Sequence, residues 1–320
     1  MVIGADRSMR VLAFIKTASA CAVIAMACGT SLESDAEFSG QAALVYVRTQ
    51  LEFGPRVPGS QGHRRAGEWV LEQVRTRSDT VIVQDWTHVT RQGDSLPLRN
   101  IFARFRPTLP ERVLYVAHWD TRPTADNELE PVRRRRAIPG ANDGASGVGL
   151  LLALAEALRK KPPSVGVDLL FVDGEDFGNF ADPDLRDVLI GSQYFVNNLP
   201  EPGYRPLYGV VWDMIGDSSL RIDQEEHSTQ AAPEVVTLVW KRAERLGYEH
   251  VFSWRRRPPV IDDHVPFLRA GLRVALAIDL DYTSATGHTL HHTLDDTLDR
   301  LSAQSLQAVG DVALDLVRNP

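Results

Sequence analysis

The sequence predicts an α/β protein, a single domain built on a mixed, mostly parallel central β-sheet with helices on both faces. Three observations carry this. Helical and extended segments alternate along the chain, the pattern of a sheet covered on both sides. Val167 to Val172 is an apolar run broken only by Asp168, as a strand buried on both faces requires. Two strand-like stretches near residues 80 and 100 make a hairpin-like start, which adds antiparallel members to the sheet.

Each element has its own signal. Phe38 to Leu51 carries Ala43, Leu44, Val47 and Leu51 at helical spacing. Phe53-Gly54-Pro55-Arg56-Val57-Pro58-Gly59-Ser60 is a rigid Pro/Gly loop, and Ser60 is placed to cap a helix holding Trp69, Val70 and Val74. Thr80 to Trp86 and Asn100 to Phe105 read as strands, and Val113 to Ala117 as a short, wholly apolar one. Ser146 to Leu158 is a helix with Val148, Leu151, Leu152, Ala155 and Leu158 turned inward. After the Val167 strand, Gly191 to Leu199 is helical and Leu207 to Trp212 is another buried strand. Pro233 to Leu246 is an amphipathic helix, Asp263 to Ala270 a short one, and Arg273 to Ile278 a strand. Leu301 to Val317 ends the sequence as a helix, with Leu306, Val309, Val312, Ala313 and Leu316 in register. No internal repeat and no second domain boundary is visible.

A length of 320 residues is enough for a large core. The 43% hydrophobic and 24% charged content is ordinary for a globular protein. A formal net charge of -7 argues against nucleic acid as a partner. The runs Arg133 to Arg136 and Arg255 to Arg257 read as solvated loops. Cys21 and Cys28 are the two cysteines, so any metal site in the body must be built from histidine and carboxylate. Near the amino terminus, Arg7, Arg10 and Lys16 precede the apolar run Thr17 to Ala27. That run is shorter than the roughly 20 residues a bilayer span needs and fits a secretory signal. Ala25-Met26-Ala27-Cys28-Gly29 resembles a bacterial lipoprotein box with Cys28 as the lipid-bearing residue. The expectation is export, to the periplasm, to an outer-membrane anchor through Cys28, or to the medium.

The Val167 strand runs into Asp173-Gly174-Glu175-Asp176. Carboxylates at the carboxyl end of a buried strand sit where α/β sheets bind ligands. Two adjacent acids in a tight turn repel each other unless a cation or a shared proton holds them. The pair also suits a helix N-terminus, where acids favour the dipole, so the rest of the sequence decides. Val113 to Ala117 ends in His118-Trp119-Asp120, Asn142-Asp143-Gly144 precedes the helix at Ser146, and the Leu207 strand ends in Asp213. A late group, Gly287 to Asp296, holds His291 and His292. A lone histidine after a strand is usually just a satisfied polar residue; five such groups at strand ends and loops are not explained that way. Without cysteine, a His/carboxylate set suits catalytic Zn²⁺, which keeps one position open for water or substrate.

In this order, His118-x-Asp120, Asn142-Asp143-Gly144, Glu175-Asp176, Asp213 and His292-Thr293-x-Asp295 resemble the M28 zinc aminopeptidases and the related glutaminyl-peptide cyclotransferases, over about Phe38 to Pro320. The resemblance implies a zinc aminopeptidase/glutaminyl cyclase-like fold and a set of roles. Asp143, Asp176 and His292 would hold one zinc. His118 and Asp213, with Asp143 bridging, would hold a second in the aminopeptidases. Glu175 would be the general base and acid, and Asp120 would fix the tautomer of His118. Such peptidases usually have Glu-Glu where this protein has Glu175-Asp176, so the shorter Asp176 would seat the metal slightly differently. The sequence then divides into a signal peptide and lipobox at 1–28, a tether at 29–36 and an M28-like catalytic domain at 37–320.

Three segments are closer to the cyclotransferase branch: Phe53 to Gly59, Asp187 to Ser192, and above all Ile261 to Arg269. Aminopeptidases commonly have Ser-Asp-His where this protein has Asp262-Asp263-His264. In the cyclases the residue matching Asp262 joins those matching Glu175 and Asp213 in an acid network. The resemblance therefore implies a catalytic set of Glu175, Asp213 and Asp262, one zinc, and a peptide substrate with a free amino-terminal glutamine. Two positions depart from that branch. His291 stands where the cyclases carry a tryptophan, and Phe177 and Phe180 follow the acid pair where they carry another. His291 and Phe180 would then face the substrate. The alternatives are an M28 aminopeptidase with one or two zincs and a non-catalytic module that has kept the fold; the complete ligand set argues against the last.

Overall fold

Apolar strands alternating with amphipathic helices condense into one six-stranded sheet in the computed structural model, which describes residues 37–320. The signal-like segment, Cys28 and the tether lie outside the described residues. Two helices come first, α1 (Gly40–Leu51) and α2 (Gln61–Arg75), followed by strands β1 (Thr80–Val89), β2 (Ser95–Phe105) and β3 (Arg112–His118). The short α3 (Pro131–Arg134) precedes α4 (Ala145–Lys160), β4 (Gly166–Val172), α5 (Ile190–Asn197) and β5 (Tyr208–Asp213). Then come β6 (Ile222–Glu225), α6 (Glu226–Ala231), α7 (Pro233–Arg245), β7 (Phe252–Arg257), α8 (His264–Arg269), β8 (Val274–Ile278) and α9 (Ala303–Arg318). Ser60 caps α2 as the sequence predicts, its hydroxyl accepting the N–H of His63.

The strand order is β1-β2-β4-β3-β5-β8. β1 and β2 run antiparallel to each other, and β2 runs antiparallel to β4. β4, β3, β5 and β8 are mutually parallel. The mixed, mostly parallel α/β sheet read from the sequence is therefore the sheet observed. Residues alternate between its faces along β3: Val113, Tyr115 and Ala117 join the core beneath α1, α4, α7 and α9, whereas Leu114 and Val116 join the core beneath α5 and α8. Parallel strands put their carboxyl ends on one side, so His118, Asp173 and Asp213 emerge along one edge of the molecule.

Asp168 interrupts the apolar strand without exposing it. Its carboxylate is buried between two arginines: it accepts from Arg104 Nε at 3.2 Å and Arg112 Nε at 2.7 Å, with a further bond from Arg112 Nη2 and one from the Tyr204 hydroxyl at 2.9 Å. Removing one partner of a buried ion cluster leaves the others uncompensated, at a cost of about 3–5 kcal/mol. Asp168→Ala is expected to lower the unfolding free energy by that amount in urea titration. A loss under about 1 kcal/mol, the size of a surface pair, would show that the cluster is solvated.

β6 and β7 form a separate two-stranded parallel sheet. This corrects the reading of Arg255 to Arg257 as a loop, though Arg255 and Arg256 are exposed as expected. The three arginines lie in β7, and Arg255 and Arg257 pair with Asp223 and Asp281. The other run begins in α3 and leaves Arg134 to Arg136 exposed. Among the described residues no helix is long and apolar enough to cross a membrane.

Candidate metal centre and active site

The acid turn after β4 is built from backbone bonds. Gly174 has φ +67°, a left-handed conformation that a side chain resists, and an added Cβ would meet Ile190 and Leu98 at 3.2 Å. The carbonyls of Asp173, Gly174 and Glu175 accept N–H groups from Gly191, Ile190 and Leu189 at the start of α5. From the other side, Asp120 accepts the N–H of Glu175 at 3.1 Å and of Asp176 at 3.2 Å. One buried carboxylate thus holds both amides of the turn. Asp120 also lies 3.5 Å from His118 Nδ1, which is longer than a good hydrogen bond. Its bonds are to the turn more than to the histidine.

The same device recurs at the second loop. Asp296 accepts the N–H of Asn142 at 2.8 Å and of Asp143 at 3.2 Å. Burial and the neighbouring Asp143 push Asp296 up to about 7. Gly144 follows at the head of α4, and only a residue without Cβ fits there, since a Cβ would lie 2.5–2.6 Å from the carbonyl and ring of His118. The Pro/Gly loop at 53–60 ties these parts together. Arg56, wholly buried, donates to the carbonyls of Trp119 at 3.1 Å, Pro139 at 3.1 Å and Gly140 at 2.6 Å.

These supports bring the candidate ligands face to face. Asp143 reaches both ways: Oδ1 lies 3.1 Å from His118 Nε2 and Oδ2 lies 3.5 Å from His292 Nε2. His118 Nε2 is 3.3 Å from Asp213 Oδ1, and His292 Nε2 is 3.2 Å from Asp176 Oδ1. Ligands on a tetrahedral zinc with bonds of about 2.0–2.2 Å stand about 3.3–3.6 Å apart, and these spacings fall close to that edge. Asp143 Oδ2, Asp176 Oδ2 and His118 Nδ1 are buried without a hydrogen-bond partner. The orphaned Asp143 Oδ2 faces both His291 and His292, an arrangement a cation would complete, so the residues present fit the metal. His118, Asp143 and Asp213 form one compact donor group, and Asp143, His291 and His292 another; Asp176, expected as a ligand beside Asp143, belongs to neither and adjoins the second through His292.

Charge in the centre is divided unevenly. Burial disfavours ionised Asp143, but His118, His292 and His291 outweigh it and hold the group well below the usual carboxylate range. Burial pulls His118 down, but Asp213, Asp120 and Asp143 carry it well above an ordinary histidine. Burial pushes Glu175 well up, with Asp176, Asp263 and Asp262 adding to it against His118. Burial, Asp213 and Asp263 do the same to Asp262. A cavity of about 320 Å³ opens over the group. Asp143, Glu175, Asp176, Asp213 and Asp262 line its polar side with His291 and His292. Phe180, Met214, Val260, Ile261, Ile278 and Leu280 make the apolar side. Every site residue named from the sequence except His118 and Asp120 lines this cavity, and those two stand directly behind it.

Three residues escaped the sequence reading. Arg56 and Asp296 act on main-chain atoms and carry no ligand signature. Arg122 donates to Asp176 Oδ1 at 2.7 Å and stands 5.8 Å from the Phe180 ring centre. Its position two residues after Asp120 was the only available signal.

Residues 100–317 match the profile of peptidase family M28. The chain belongs to that family. Relatives of this M28 protein include the aminopeptidase YwaD of Bacillus subtilis (strain 168), 24% identical over 296 residues, which cover 87% of this chain and 57% of that one. The chain thus spans little more than half of that relative. The glutaminyl-peptide cyclotransferase of Bos taurus is 26% identical over 298 residues, 79% of this chain and 76% of the relative. Among solved structures, glutaminyl cyclase from Bacteroides thetaiotaomicron bound to N-acetylhistamine superposes with a TM-score of 0.84 at 32% identity, covering 89% of this chain and 99% of that one. The zinc dependence of M28 enzymes and the donor groups found here agree in kind; the comparisons divide between peptidase and cyclase.

Proposed function

We propose that this M28 enzyme is a zinc-dependent glutaminyl-peptide cyclotransferase, converting amino-terminal glutamine to pyroglutamate with release of ammonia. The supporting observation is Asp262, a buried third carboxyl that shares the cavity with Glu175 and Asp213. Hydrolysis needs an activated water, whereas cyclisation needs a proton moved from one nitrogen to another, and a cluster of proton-holding acids suits the second task.

Asp143, Asp176 and His292 are the residues proposed to hold the metal, with His118 and Asp213 available to a second. When bound, zinc supplies Lewis acidity that polarises the substrate's γ-carbonyl. The cavity holds the glutamine side chain folded so that its own α-amine lies near that carbonyl, which lowers the barrier by proximity. The amine nitrogen bonds to the carbonyl carbon as the γ-amide C–N bond breaks. Glu175 takes the amine proton and returns it to the departing nitrogen, which leaves as ammonia; no water is consumed. Asp262 and Asp213 support Glu175 in holding that proton. Phe180 and His291 line the substrate's approach.

The complete second donor group, His118, Asp143 and Asp213, would serve the other reading, an aminopeptidase with two zincs, but does not separate it from a cyclase that keeps the same residues. Export, with a lipid on Cys28 as the membrane anchor, belongs to the same proposal. The deciding experiment measures zinc in purified protein beside turnover of a glutaminyl and a leucyl peptide. Ammonia release from the first, no leucine release from the second and one zinc per protein molecule are expected. Two zincs with leucine release and no ammonia would overturn the cyclase.

A further inference from the structure

We propose that His291 is a fourth, exchangeable protein ligand to the metal held by Asp143, Asp176 and His292, an inference that rests on the metal centre described above. Neighbouring residues of an extended backbone point to opposite sides, so two successive histidines do not normally reach one point. Here His292 adopts φ +54°, in the left-handed region. The two imidazoles consequently lie on the same side, ring centres 3.6 Å apart. Both aim Nε2 at one atom, Asp143 Oδ2: His292 from 3.5 Å and His291 from 3.7 Å. That oxygen is buried and has no hydrogen-bond partner. The first spacing falls within the edge length of a zinc tetrahedron, about 3.3–3.6 Å, and the second lies just beyond it.

Four protein ligands close a zinc site, whereas a catalytic site keeps one position open. One of the four must therefore leave, and the surroundings single out His291. Its side chain is 39% exposed, against 4% for Asp143, 12% for His292 and 1% for Asp176. Asp176 is further pinned by Arg122 at 2.7 Å. The backbone at 291 stays fixed while the ring turns, because Asn127 donates its side-chain amide to the carbonyl of His291 at 3.0 Å and its N–H to that of His292 at 3.1 Å. With metal bound, His291 would fill the fourth position at rest and would yield it to the incoming substrate. It is a resting-state plug built from the protein itself.

The test uses the full-length protein, stripped of metal and reloaded with Zn²⁺ or with Co²⁺ as an optical probe. His291→Phe keeps ring bulk without a donor atom, and His291→Ala guards against misfolding caused by the larger ring; thermal melts report on both. Each is expected to weaken zinc in chelator competition by more than about tenfold, the size at which even residues behind the ligands act. Each should also alter the visible Co²⁺ band of the substrate-free protein. His292→Ala should lose the metal. Wild-type affinity and an unchanged Co²⁺ band in both His291 variants, with His292→Ala stripped, would overturn the role of His291 and leave the centre standing. Full metal in His292→Ala would refute the centre itself, and this proposal with it.

Discussion

Glu175→Gln is expected to lower turnover by about 10²–10⁴-fold, the range of a general acid–base contribution, while bound zinc stays at the wild-type level. Both expectations follow from where the residue is held. Its N–H is bonded to Asp120 and its carbonyl to Leu189, so the turn survives a change of side chain. The side chain lies in the cavity beside the ligands without being one of them. An amide keeps the shape but cannot accept and return a proton. The sign of the stability change can be worked out too. Burial raises Glu175 in the folded protein, so its ionisation opposes folding at every pH above its unfolded value. A neutral glutamine removes that penalty, and at neutral pH the metal-free variant should melt no lower than the metal-free wild type. Near-normal turnover in zinc-loaded Glu175→Gln would remove Glu175 from the chemistry.

Asp262→Ser carries the second large effect, because it separates the two enzyme readings. Asp262 is buried, and its carboxylate accepts the N–H of Asp263 at 2.5 Å. A serine hydroxyl can accept that N–H as well, so the loop entering α8 should hold. What serine lacks is a titratable group under the influence of Asp213 and Asp263. In a cyclase, turnover of a glutaminyl peptide should fall by about 10²-fold or more with zinc content unchanged. In an aminopeptidase the same change should cost little. Indifference to Asp262→Ser, measured on a protein that releases leucine, would decide for the peptidase.

Most of the fold was legible because its four parallel strands are buried on both faces and therefore mostly apolar. The acids at their carboxyl ends were legible for the same reason: a carboxylate that ends such a run stands out. β6 and β7 were not legible. Ile222 to Glu225 is a buried but polar stretch and Phe252 to Arg257 a mostly exposed one, joined by bonds such as Asp223 with Arg255, and an apolar pattern cannot report those. In the site, side chains that face the cavity could be named from residue type and order. Side chains that act on backbone could not. Asp296 reads like its neighbour Asp295, yet one is buried against two amides and the other is largely exposed. Arg56 sits in a loop whose rigidity was visible and whose purpose was not, since carbonyl oxygens leave no trace in a sequence.

The grip of Asp120 on the amides of Glu175 and Asp176 has an evolutionary reading. Amides are carried by every residue except proline, so the turn is specified without reference to the side chains it displays. The acid at 176 can gain or lose a methylene while the loop beneath it keeps its path, and Asp296 holds the amides of positions 142 and 143 in the same way. Chemical identity and scaffold geometry are thereby inherited separately. On such a framework a change of chemistry needs new side chains at the cavity, not a new path for the loops that carry them.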